Sequence, residues 1–143
     1  MVKPSPALIA AVRPLLDAAG SDELDRVLGS RKPDLTDLLL RAARDAPEPL
    51  ERIVLAAACR AACARLRERH PGATIEVRVP PYAAVQVGFG TGSRHTRGTP
   101  PNVVEFSPEG FLALATGRAR WDEVPKQISG VHADEAAVAF PLL

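Results

Sequence analysis

Aromatic residues are scarce in this chain. Four phenylalanines, one tyrosine and one tryptophan make up 4% of 143 residues, and methionine occurs once. The net charge is only +1, which removes any global bias toward nucleic acid or acidic lipid. No apolar run approaches the ~18 residues of a membrane span, so integral membrane association is not expected. The opening residues, Met1 to Pro6, lead into a short apolar stretch broken by Arg13, Pro14 and Asp17. That pattern lacks the h-region and cleavage site of a secretory leader, and the expected location is the cytoplasm.

Cysteine is nearly absent as well. Cys59 and Cys63 stand four apart inside a helical pattern. That spacing puts both on one helical face, where a disulfide would be strained, and two ligands do not make a zinc site. They read as small buried thiols, and no metal or cofactor is expected. A chain of this length buries roughly two-thirds of its unfolded surface, so it needs neither disulfide nor metal to hold a core.

What is present is Ala, Leu and Val in a clear order. Residues 4–46 read as three short helices. The first spans about 5–19, with Leu8, Val12, Leu15 and Leu16 on one face, a kink at Pro14 and a stop at Gly20. Ser21 is predicted to cap a second helix that ends before Gly29. Asp34 opens a third that ends near Pro47. The strongest helix covers 48–70, with Leu50, Ile53, Val54, Ala57, Ala61 and Ala64 on a continuous apolar face. Pro71 and Gly72 end it. The period then changes from 3.6 to 2. Ile75, Val77 and Val79 alternate with polar residues, and Val85, Val87 and Phe89 do the same. Strands are predicted near 74–79, 84–89, 102–106 and 127–131. A helix opens at Ser107-Pro108, where a serine N-cap precedes proline. Residues 133–139 fit either a short helix or a strand.

The stretch Gly88–Val104, GFGTGSRHTRGTPPNVV, carries the most chemistry. Its glycines have neither Rossmann spacing nor a Walker lysine, and no helix follows directly. Arg94, His95, Thr96, Arg97 and Thr99 gather cations and hydroxyls suited to a carboxylate or phosphate, and Pro100-Pro101 stiffens the exit. From residue 60 to 97 seven arginines (Arg60, Arg65, Arg67, Arg69, Arg78, Arg94 and Arg97) face only Glu68 and Glu76. Only Tyr82 and Phe89 stand nearby for stacking, so nucleic acid is not expected as a partner. Ser93 beside His95 is chain adjacency, not a triad. His132, Asp134 and Glu135 lack metal-ligand spacing. No catalytic residue is assigned. Trp121 reads as an anchor at the core or its rim.

Three stretches then carry a family resemblance: Glu76–Gln86 (EVRVPPYAAVQ), His95–Glu105 (HTRGTPPNVVE) and Phe111–Arg118 (FLALATGR), with Trp121 and Ser129-Gly130. Together they resemble the bacterial sterol-carrier-like proteins over about residues 48–143. The resemblance implies an α+β fold, a mostly antiparallel sheet with helices on one face around an apolar tunnel or cleft. It divides the chain into an N-terminal helical segment, 1–47, and a sterol-carrier-like domain, 48–143. In the wider superfamily the cavity takes acyl chains, sterols or other apolar ligands. This chain departs from the lipid carriers in its single methionine, its few aromatics and its ending at Pro141-Leu142-Leu143.

The expectation is therefore a non-catalytic protein that binds or carries a small apolar or amphipathic ligand. Val85, Val87, Phe111, Leu114 and Trp121 would contact its apolar part. Arg78, His95, Arg97 and Thr99 would meet its head. One alternative is an interaction module with a filled core, including self-association as a homodimer. Another is an enzyme or accessory domain with an Arg/His anion site.

Overall fold

The computed structural model describes residues 1–89 and 102–143. Helix α1 (Pro6–Val12) is capped by Ser5, whose Oγ accepts from the Leu8 N–H at 3.2 Å. Pro14 ends it in a 3-10 turn, Arg13–Leu15. Helix α2 (Ala18–Leu28) runs straight through Gly20 and Ser21, which corrects two expectations. Gly20 is not a stop, and Ser21 is not the cap. Asp17 caps instead, its carboxylate accepting from the Gly20 N–H at 2.7 Å. A carboxylate three residues ahead satisfies an otherwise orphaned helical donor, so the glycine becomes part of the helix start. Helix α3 (Thr36–Asp45) follows Asp34, which accepts from both the N–H and the hydroxyl of Thr36.

Helix α4 (Arg52–Arg69) begins a few residues later than expected, because Glu48, Pro49 and Leu50 form the approach to it. It is the centre of the molecule, touching α1, α3, strand β2 (Ala83–Val87) and helix α5 (Pro108–Ala115). Leu8, Val12, Leu24, Leu35, Leu38 and Leu39 belong to the same hydrophobic cluster as Ile75, Val77, Phe111 and Leu112. Residues from either side of position 47 therefore share one core.

The sheet has the order β2-β1-β3-β4, with β1 at Ile75–Val79, β3 at Asn102–Glu105 and β4 at Gln127–Ser129. It is mixed. β1 pairs antiparallel with β2, and β3 with β4, but β1 and β3 run parallel. Alternation decides the faces. Ile75, Val77, Val79, Val85, Val87 and Val104 point into the core, while Glu76, Arg78, Gln86 and Glu105 occupy the other face. Residues 133–139 form a 3-10 helix, Ala133–Ala139, rather than a strand.

Chain reversal between α4 and β1 brings two backbones together at Gly72 and Gly88. Gly72 has φ +146, a conformation that favours glycine. A Cβ on Gly88 would stand 2.7 Å from the Pro71 carbonyl oxygen and 2.9 Å from the Gly72 Cα. Neither neighbour is a side chain that can swing away. Gly88→Ala should therefore lower stability by about 1–3 kcal/mol, the usual cost of overpacking, as measured by urea unfolding. An unchanged midpoint would show that the two backbones can separate freely.

Candidate functional site

Both stems of the segment between Phe89 and Asn102 are tied to one residue, Thr74. The Phe89 N–H donates to Thr74 Oγ1 at 3.3 Å, and Thr74 Oγ1 donates to the Val87 carbonyl at 3.2 Å. Asn102 Nδ2 donates to the Thr74 carbonyl at 3.1 Å, and Asn102 Oδ1 accepts from the His132 N–H at 2.9 Å. The Phe89 ring lies 4.7 Å from that of His70. Asn102 is buried, so one side chain joins β1, β3 and the turn after β4. Sequence reasoning missed this pair, although a lone asparagine at a core-facing strand position was the available signal. The expected head-group residues His95, Arg97 and Thr99 lie outside the described residues.

Arg78 is among the described residues. It lies three to four residues along β1 from those stems, about 10–13 Å at strand rise. Its Nε donates to Glu76 Oε1 at 2.8 Å on the outer face of the sheet. That hydrogen bond and the charge of Glu76 hold the guanidinium pKa above its ordinary value. Both side chains keep some exposure, so the pair contributes little to stability.

The expected apolar contacts lie on the opposite face. Val85, Val87, Phe111 and Leu114 all belong to the core cluster, and Val87 and Phe111 are 0% exposed. The sheet itself separates them from Arg78. Those four residues and Arg78 therefore do not meet in one pocket. Trp121 sits at the rim, part of an aromatic group with Phe106, Phe111 and Phe140, with centroid separations of 5.6–6.4 Å. A chain with few aromatics thus gathers four of them at one end of the sheet.

Beside this group opens a surface cleft of about 450 Å³, lined by Pro80, Glu105, Phe106, Ser107, Pro108, Pro125, Lys126 and Gln127. Lys126 Nζ lies 4.8 Å from the centre of the Trp121 ring. It donates to the Trp121 carbonyl at 2.5 Å and to the Val124 carbonyl at 2.8 Å. An ammonium has three donors, and among the described residues these two carbonyls are its hydrogen-bond acceptors. Sequence reading did not single out Lys126, because nothing local in the chain marks it.

The cysteines are free and buried. Burial pushes both thiols up to about 12, and for Cys59 the neighbouring Cys63 adds to the effect. Thiolate is the reactive form, so neither is poised as a nucleophile. Among the described residues, no group of three or more His, Cys, Asp or Glu is placed to hold a metal ion. Among them, too, no helix is long and apolar enough to cross a membrane.

A family model described as "Bacterial SCP ortholog" matches residues 51–142. The chain belongs to this family, and its mixed four-stranded sheet with packed helices is an α+β fold. No curated protein matches the chain.

Asn102→Ala removes two hydrogen bonds and leaves a carbonyl and an N–H without their partner. It should lower stability by about 1–3 kcal/mol, seen as a shifted urea midpoint. An unshifted midpoint would mean that Thr74 and the turn after β4 hold without Asn102.

Proposed function

We propose that this protein is a non-catalytic binding domain that takes a small apolar or amphipathic ligand at the rim of its core. One observation carries the reading: the aromatic group at Trp121 adjoins a largely apolar cleft with a single cation, Lys126, at its edge. Ligand sites are usually apolar hollows with a few placed polar groups. An alkyl or acyl part would lie against Phe106, Pro80, Pro108 and Pro125. A carboxylate or phosphate head would take the remaining donor of Lys126, while Glu105 disfavours a dianion. Family membership supports the ligand class, since sterol-carrier-like domains handle apolar molecules. The buried thiols, with pKa values pushed up to about 12, speak against a cysteine nucleophile. Reduced, buried cysteines support a cytoplasmic location. The division into an N-terminal segment, 1–47, and a domain, 48–143, stays part of this proposal, and residues on both sides of it share one core.

A second reading is an interaction module with a filled core, self-association included. The complete burial of Val87 and Phe111 favours it, because the space between sheet and helix is occupied by side chains.

Trp121 is the sole tryptophan, so its fluorescence reports on this rim alone. Titration with oleate should shift and saturate its emission, and Lys126→Ala should weaken the apparent affinity about tenfold, as expected for loss of a charged hydrogen bond. Emission that stays unchanged, together with native mass spectra free of co-purified ligand, would reject the carrier reading in favour of the interaction module.

A further inference from the structure

We infer a second binding site, separate from the Lys126 cleft and sharing no lining residue with it: the groove between α4 and the free edge of β2, which the geometry assigns to an extended acidic peptide added as a fifth strand. Strand β2 is the first in the sheet order, and among the described residues nothing pairs with its outer edge. An edge strand leaves the N–H and C=O of alternate residues without ladder partners. Natural edges are commonly blunted by charge, proline or a bulge. The stretch Ala83–Val87, AAVQV, contains neither a charge nor a proline.

Two adjoining clefts of about 410 Å³ each run along this edge and share Arg67, Ala84 and Val85. On the helix side the groove is formed by Arg60, Cys63, Ala64 and Arg67. This i, i+3, i+4, i+7 set is a single helical stripe. Its middle is small, as are Ala83 and Ala84 opposite, so a backbone can approach closely. Its two ends are exposed arginines. Arg13, Arg41, Arg44, Arg65, Arg78, Arg118 and Arg120 all have carboxylate partners. Among the described residues, Arg60 and Arg67 have none, and neither do Arg26, Arg31, Arg52 and Arg69; what sets Arg60 and Arg67 apart is that they line the groove beside an unpaired strand edge.

The occupant follows from this chemistry. Unpaired strand groups select a polypeptide in extended form, and pockets beside them select side chains. Arg60 and Arg67 stand about 10.5 Å apart along the helix. Residues two and four apart in a strand are separated by ~7 and ~13 Å. Both arginines can therefore reach carboxylates on one face of the same strand, each in a planar bidentate contact. A second copy of this chain fits less well, because two β2 edges paired together would crowd four arginines without a carboxylate among them.

The test uses a fluorescein-labelled, end-capped peptide of alternating valine and glutamate, read by anisotropy. Saturable binding is expected, with amide resonances of residues 60–67 and 82–87 shifting together. The charge-reversed variants R60E and R67E, both at exposed helix positions, should keep the native melting temperature and weaken binding about tenfold each. A peptide N-methylated at alternate residues, made in both registers, should lose binding in one of them. Equal binding by a lysine-for-glutamate peptide, or indifference to methylation in both registers, would overturn the proposal. So would a groove that ignores the peptide but binds phosphatidylglycerol vesicles through the same arginines. A concentration-dependent dimer abolished by R67E would overturn it in favour of a second copy.

Discussion

Ala57, Ala58, Cys59, Ala61, Ala62 and Cys63 run through the middle of α4 with almost no exposed surface, and the rest of the architecture depends on how short they are. Small side chains let neighbouring elements come close to a helix backbone, and close packing is sensitive to a single methylene. Against this helix lie α1 and α3 on the N-terminal side, and β2 and α5 from the family domain. The N-terminal helices complete the burial of α4 rather than decorating a finished domain.

That arrangement decides where a ligand can go. With the sheet-facing side of the core occupied by Val77, Val87, Phe111 and Leu112, the sites we propose lie at the margins. One margin is the aromatic end near Trp121, where the rings of Trp121 and Phe140 are only partly covered. The other is the β2 edge, where small side chains leave the backbone within reach. Both are products of the same economy of size: bulk is concentrated at one end of the sheet, and absent along one of its edges.

Much of this was legible in the chain. The switch from helical to strand period at Pro71-Gly72 located β1, and Ser107-Pro108 located α5, because caps and alternation are local signals. The same alternation already placed Arg78 opposite Val77 and Val79, so its separation from the apolar contacts was implicit in the period. The parallel pairing of β1 with β3 was not legible, since it depends on a connection that skips a strand. Gly20 misled because an aspartate cap three residues earlier overrides a glycine's tendency to stop a helix. Asn102 escaped notice because its partners, Thr74 and His132, are distant in sequence, and Lys126 because it is held by nearby backbone carbonyls, which carry no residue signature. The cleft beside Trp121 has lining from Pro80 to Gln127, a combination that only the fold assembles.

The central claim is that the interior around α4 is filled, which is why the proposed binding sites lie at its rim and edge. Urea unfolding of Ala61→Leu tests it most directly, because Ala61 is 0% exposed within the core. A filled core predicts one cooperative transition with stability lowered by about 1–3 kcal/mol, the cost of forcing extra methylenes into a packed interior. Unchanged or increased stability would contradict the account, since it would mean that an open cavity beneath α4 had room to accept the larger side chain.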